Sequence, residues 1–217
     1  HLYDLEEDYA DLFKLGNENS IESVFAICFL TGANPGLGNS LNQYFAPQNE
    51  SGYYFNAPTD SYVACFNEKT EEGEDDPRLD ASIGRDGKPW LNDNTFSASW
   101  SSTGYLVKKH NQPLSEVPAG TKGDGGLSYV YLRYADILLM KAEALNESHH
   151  PELAKIEVDK VRDRAGLAET AATDEASLRT VIRNERRKEL GFEFHRFFDL
   201  MRYGKEAAQA ALGSDLP

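Results

Sequence analysis

The sequence has no long hydrophobic run. Its most apolar stretch, Ser23–Leu30, is far shorter than the ~20 residues a membrane-spanning helix needs, and its length fits a buried strand. Basic residues are scarce. Lys and Arg total 22 against 36 Asp and Glu, a formal net charge of −14 over 217 residues. That balance argues against nucleic acid as a partner, because cationic surface dominates affinity for a phosphate backbone. It argues equally against docking on anionic lipid through a basic patch. A neutral or cationic ligand suits such a surface, and the charge also serves solubility alone. Cysteine is limited to Cys28 and Cys65, in no metal-type spacing. Cys28 falls in the apolar run and Cys65 in a short helix expected after Pro58–Thr59–Asp60. Two buried thiols are expected, with a bridge between them left open. No GxSxG, P-loop or HExxH motif is present, so no catalytic residue, cofactor or metal ion is expected. The acidic run Glu71–Asp76 lacks the alternating ligand spacing of a calcium loop and reads as a solvated turn. His149 and His150 flank a helix with no third ligand and read as surface residues.

The last third is the most patterned part. Apolar residues at Leu132, Ala135, Leu138, Leu139, Ala142 and Leu145 have helical spacing, predicting a helix over Tyr129–Glu147. A second helix is predicted from Pro151, which suits a first helical turn. It carries Ala154, Val158, Val161 and Ala165 on one face and ends at Gly166. Thr173 is the expected N-cap of a third, which carries Leu178, Ile182, Glu185 and Glu189. Charged residues within apolar stripes suggest helices held by buried ion pairs. Glu185 and Glu189 are the sharpest catalytic candidates, since a glycosidase uses two carboxyls. Both project from one helix face, so they do not easily flank a sugar. Pairing with arginines such as Arg133 or Arg202 is the better reading.

Residues 31–126 are irregular, with frequent Gly, Pro, Asn and Ser. Yet Tyr44 to Tyr105 holds eleven of the chain's 24 aromatics, both tryptophans included. Loops on a rigid scaffold carry function, and flat aromatic rings suit the C–H faces of sugars. The candidate ligand-binding residues are Trp90, Trp100, Tyr53, Tyr54, Asn92 and Asp93, with Tyr105, Asn56 and Asn94 beside them. Trp90, flanked by Pro89 and Asn92–Asp93–Asn94, reads as more loop-borne than Trp100. Phe55, Phe66 and Phe96 read as core, and packing is the competing role for every ring here. Gly123, Gly125 and Gly126 precede the first predicted helix and read as a flexible turn rather than an anion site.

The stretches LRYADILLMKAEALNE, KVRDRAGL and ERRKELGFEFHRFFDLMRYGK resemble the C-terminal signature of the SusD/RagB family. DPRL at Asp76–Leu79 and TGYLVKKH at Thr103–His110 follow the family's order. These are nutrient-binding lipoproteins of the Bacteroidetes outer membrane. The resemblance implies a mainly α, SusD-like fold: tetratricopeptide-like helix pairs with an irregular, aromatic-rich region of loops and short strands. It implies no enzymatic activity, an oligosaccharide ligand, and delivery to a TonB-dependent outer-membrane transporter of the SusC type. It implies a surface-exposed or periplasm-facing lipoprotein in polysaccharide utilisation, touching the membrane only through a lipid anchor absent from this chain. Full family members are longer, so the chain reads as a single C-terminal region. Residues 1–30 would be the end of a helix, Leu2–Lys14, and a strand; 31–126 the irregular ligand-binding region; and 127–206 the helical scaffold. A peptide- or protein-binding helical scaffold is the alternative, and a glycan hydrolase a more distant one.

Overall fold

The computed structural model describes residues 2–32, 36–91, 93–118 and 121–213. Four short strands run as β1 (Ser23–Ile27), β2 (Ile83–Gly84), β3 (Leu106–Val107) and β4 (Tyr129–Arg133). Among the described residues the α-helices are α1 (Leu41–Phe45), α2 (Asp60–Ala64), α3 (Pro77–Ser82), α4 (Tyr134–Glu147), α5 (Pro151–Arg164), α6 (Glu175–Glu189), α7 (Arg196–Tyr203) and α8 (Lys205–Gly213). Among the described residues no helix is long and apolar enough to cross a membrane. The chain divides into two compact units, His1–Pro58 with Asp80–Arg133 and Thr59–Leu79 with Tyr134–Pro217.

The first unit is mostly loop around two antiparallel strand pairs. β1 pairs with β4 from Ser23↔Arg133 to Ile27↔Tyr129 through irregular register, and β2 pairs with β3. Several expectations change here. Tyr129–Arg133 is a strand, not the start of a helix, because YVYL is aromatic and β-branched and finds a partner in β1. The glycines before it therefore precede a strand. Gly125 exchanges backbone hydrogen bonds with Asn39 at 2.7 and 3.2 Å, so the turn is pinned. The Ser23–Leu30 run is not a buried strand: Phe25 and Ile27 are 56% and 46% exposed, since a two-stranded sheet has no second layer on that face. Cys28, just past the end of β1, is exposed, and Cys65 is partly buried, where two buried thiols were expected; both are free thiols. Burial pushes the Cys65 thiol up to about 11. Of the expected helix Leu2–Lys14, Tyr9–Phe13 alone is helical among the described residues, as a 3-10 turn capped by Asp8. Arg133, expected near Glu185 and Glu189, instead donates to Glu22 Oε1 at 2.6 Å.

The second unit is built on α4, α5 and α6. Only residues 148–150 separate α4 from α5, which makes them an antiparallel hairpin. Their seam is the predicted stripe: Ala135, Leu139, Ala142, Ala154, Val158 and Val161 are fully buried, and Leu178 and Ile182 of α6 join them. Pro151 opens α5, and Gly166, at φ 71°, follows its end in the left-handed conformation that glycine adopts without cost. Asp174, not Thr173, caps α6, accepting from the Ala176 and Ser177 amides.

Glu185 and Glu189 lie in a buried network of alternating cations and carboxylates. Arg78, fully buried, donates to Asp76 through Nε and Nη2 at 2.9 and 2.6 Å. Its Nη1 reaches Glu185 Oε2 at 2.9 Å and Glu189 Oε2 at 3.1 Å. Arg164 holds the other Glu189 oxygen. Arg162 bridges Glu185 Oε1 at 2.8 Å and Glu68 Oε1 at 2.6 Å, and Lys188 donates to Glu68 Oε2 at 2.7 Å. The partners are thus Arg78, Arg162 and Arg164, not Arg133 or Arg202; Arg202 binds Glu143 and Asp199. Asp76, expected in a solvated turn, is a buried member of this network. Burial alone would raise the Glu185 carboxyl, but Arg78, Lys188 and Arg162 hold it below the usual range. The Arg162 hydrogen bond, helped by Lys188, lowers Glu68 to about 2 against opposing desolvation. A carboxyl depressed on folding stabilises the fold above its ordinary 4.5 and loses that contribution as pH falls towards the folded value. The melting temperature should therefore fall between about pH 4.5 and pH 2, less steeply in Glu68→Gln. An equal acid loss in that variant would remove Glu68 from the explanation.

Candidate ligand-binding site

The first unit carries an exposed aromatic cluster built from α1 and the segment after it. Tyr44 projects outward from α1, 41% exposed, while its neighbour Phe45 is buried against His110. The chain then turns back so that Tyr53, Tyr54 and Phe55 lie alongside. Three backbone hydrogen bonds fix this return: Tyr53 N–H to Gln43 O, Tyr54 N–H to Ala46 O and Phe55 N–H to Tyr44 O, at 2.8–3.0 Å. Gly52 is required at the turn, because a Cβ there would lie 2.0 Å from Ala46 O. Ser51, Tyr54 and Asn56 hold positive φ angles of 64°, 47° and 50°. Non-glycine residues rarely adopt them, and such strain concentrates at functional sites.

Tyr53, Tyr54 and Phe55 are 45%, 47% and 53% exposed. The Tyr44 and Tyr53 rings stack with centroids 6.2 Å apart, and Phe55 lies 6.0 Å from Tyr44 and 5.5 Å from Tyr53. The three rings form one contiguous apolar face. Phenol hydroxyls on two of them offer donors and acceptors beside it, and each half-exposed ring leaves roughly half of the ~150–250 Å² of an aromatic side chain for a ligand to cover.

Behind this segment sits a second aromatic group. Trp90, Phe96 and Leu106 form a buried cluster with Leu91 and Trp100 packed on it. The Trp90 and Phe96 centroids are 5.3 Å apart, and Phe96 and Trp100 are 5.2 Å apart. Gly84 of β2 allows the close approach, since a Cβ there would fall 2.5 Å from the Phe96 ring. The Trp90 indole N–H donates to Glu50 Oε1 at 3.0 Å, and Lys122 Nζ donates to Glu50 Oε2 at 2.9 Å. Glu50 immediately precedes the turn into Tyr53, so this buried triad braces the exposed cluster.

The sequence candidates therefore separate. Tyr53 lies on the exposed face, and Tyr54 is exposed next to it in the chain. Trp90, read as the more loop-borne tryptophan and a candidate ligand contact, is 5% exposed, with its ring packed on Phe96 and its indole N–H donating to Glu50. Trp100 is partly buried on the same cluster. Asp93 is exposed at φ 57° in the hairpin turn, and Asn92 lies outside the described residues. Phe96 is core as expected, but Phe55 is not: it completes the exposed face. Tyr44 and Phe55 were missed. The available signal was the YYF run after Gly52, since three consecutive aromatics in a tight turn cannot all point inward.

Glu185 and Glu189 are sequestered: each oxygen accepts from an arginine, and both residues are at most 1% exposed. Among the described residues no group of three His, Cys, Asp or Glu is placed to hold a metal ion.

Comparison with known proteins places the chain in a family. The SusD family profile matches residues 21–215. SusD-like protein P38 of Formosa agariphila is 29% identical over 94% of this chain and 38% of its own length. A SusD superfamily protein of Bacteroides vulgatus superposes with a TM-score of 0.81 at 24% identity, covering 93% of this chain and 44% of that one. A laminarin-binding SusD-like protein gives 0.76 at 27% identity, covering 98% of this chain and 48% of that one. The chain thus spans less than half the length of these relatives. The fold is mainly α with tetratricopeptide-like helix pairs, and this chain belongs to the SusD family.

Proposed function

We propose that this chain is the ligand-holding part of a non-catalytic glycan-capture protein, binding neutral oligosaccharides on the face formed by Tyr44, Tyr53 and Phe55, with the exposed Tyr54 beside it. The observation that carries this is the exposed ring cluster on a segment pinned by three backbone hydrogen bonds and braced by Glu50. A face fixed before the ligand arrives loses little entropy on binding. Family membership and likeness to a laminarin-binding relative support a sugar ligand. Capture rather than hydrolysis fits a carboxylate pair wholly occupied by arginines. In the longer protein, the captured glycan would pass to a TonB-dependent transporter of the SusC type at the outer-membrane surface, where the protein would sit as a lipid-anchored, surface-exposed component. Trp100 and Asp93 belong to this reading only as flanking contacts, and Trp90 as a brace.

Stacking of a neutral sugar involves no ion pair and is insensitive to screening. Calorimetric titration with laminarin-derived oligosaccharides should give the same affinity at low and high salt, with no product formed. A steep salt dependence, or turnover, would contradict the reading.

One observation favours the peptide- or protein-binding alternative. On α7, Phe197, Phe198 and Met201 are 67%, 69% and 67% exposed, and their spacing places them on one apolar helix face. Loss of peptide affinity in Met201→Asp, with Tyr53→Ala silent, would favour that alternative.

A further inference from the structure

Beside the aromatic face lies a cavity of about 280 Å³ lined by Asn49, Glu50, Ser51, Leu114, Val117 and Lys122 among others. We infer that this cavity is a polar subsite that takes one further sugar ring of an oligosaccharide already stacked on the tyrosines; the inference rests on the glycan reading above. Continuity is the first argument. Ser51 lines the cavity and Tyr53 is two residues on, so their Cα atoms are at most about 7 Å apart.

Chemistry is the second argument. Glu50 and Lys122 are 5% and 2% exposed and form an ion pair at 2.9 Å. Lys122 Nζ also donates to Gln112 O at 2.8 Å. An ammonium has three N–H donors, so one has no partner among the described residues. The Glu50 carboxylate accepts two hydrogen bonds and keeps further lone pairs. The cavity wall therefore offers a donor and an acceptor with no net charge. That combination suits a hydroxyl, which both gives and takes a hydrogen bond, and gives little to a net anion or cation. At the rim, the Asn49 amide and Ser51 hydroxyl have no hydrogen bond among the described residues and can meet further hydroxyls. Leu114 and Val117 supply the apolar wall that a sugar's C–H face needs. Size is the third argument. The volume lies just below the roughly 300–1,000 Å³ of small-molecule pockets, which suits one ring and not a longer chain.

The test is a length series of laminarin-derived oligosaccharides titrated into the full chain, by calorimetry and by amide NMR. Affinity should rise several-fold at one step of the series, and the Val117 amide should shift only from that step onward. Leu114→Trp, at a 45% exposed position, should erase the step by filling the cavity, with its melting curve confirming the fold. Should that variant unfold, Ser51→Ala and Asn49→Ala are expected to shrink the step instead. Binding of every length without such a step, a Val117 amide that never moves, or a step unchanged in the variants would overturn the subsite while leaving the glycan reading standing. Absence of binding at any length, with Tyr53 signals also unmoved, would overturn both.

Discussion

Replacing Glu189 with alanine should destabilise the protein by about 3–5 kcal/mol, the usual result of leaving one partner of a buried ion pair uncompensated. Glu189 is fully buried and accepts from Arg78 and Arg164. Its removal leaves an Arg78 guanidinium, also fully buried, with Nη1 held by Glu185 alone and Arg164 without that carboxylate. The deletion removes one negative charge from beside two buried guanidiniums, in a region with little access to water. Burial costs a charged group far more than a surface position does. The contrast case is Lys14→Ala: Lys14 pairs with Asp11 at 2.6 Å, but the two side chains are 60% and 46% exposed, and such pairs are worth about 0–1 kcal/mol. Denaturant unfolding of both variants makes the comparison. A Glu189→Ala cost no larger than that of Lys14→Ala would show that the network does not hold the helices in register.

Tyr53→Ala should weaken oligosaccharide binding at least about tenfold, which corresponds to ~1.4 kcal/mol. The three rings of the face touch pairwise, and Tyr53 lies 6.2 Å from Tyr44 and 5.5 Å from Phe55. Truncation removes its own stacking area and also one wall of the cluster. Truncating a central aromatic anchor commonly costs more than 1 kcal/mol. The fold should be indifferent, because the side chain is 45% exposed and the hydrogen bond that pins this position uses its backbone N–H. Trp90→Ala behaves differently. A buried Trp truncation costs about 3–5 kcal/mol in stability, so a loss of binding there reports on the brace and not on contact with sugar. Unchanged affinity in Tyr53→Ala, with the fold intact, would move the site away from this face.

The helical scaffold was legible because its information is local. Ala135, Leu139 and Ala142, then Ala154, Val158 and Val161, repeat at the helical period, and all are buried where the period places them. The identity of the ion-pair partners was not legible. Arg78 meets Glu185 across 107 positions of sequence, and nothing in the local pattern singles it out from Arg133 or Arg202. Tyr129–Arg133 misled for a related reason: its apolar residues satisfy either period, and pairing with β1, about 100 residues earlier, decided for strand. In the irregular region, whether a ring is inside or outside depends on partners elsewhere in the chain. Trp90 is drawn in by Glu50, 40 positions away, although its flanking Pro and Asn residues have the composition of a surface loop. Phe55 is held out by the strained turn at Tyr54 and Asn56, although phenylalanine is usually core.

The most direct test of the central claim is saturation-transfer NMR from the aromatic protons of this chain to a panel of plant, host and starch-type oligosaccharides together with a peptide mixture. It is run on the parent and on Tyr53→Ala. The expected result is transfer to one class of neutral oligosaccharide, no product peaks, and loss of that transfer in the variant. Transfer to peptides alone, product peaks, or sugar transfer that survives Tyr53→Ala undiminished would contradict glycan capture on the Tyr44–Tyr53–Phe55 face.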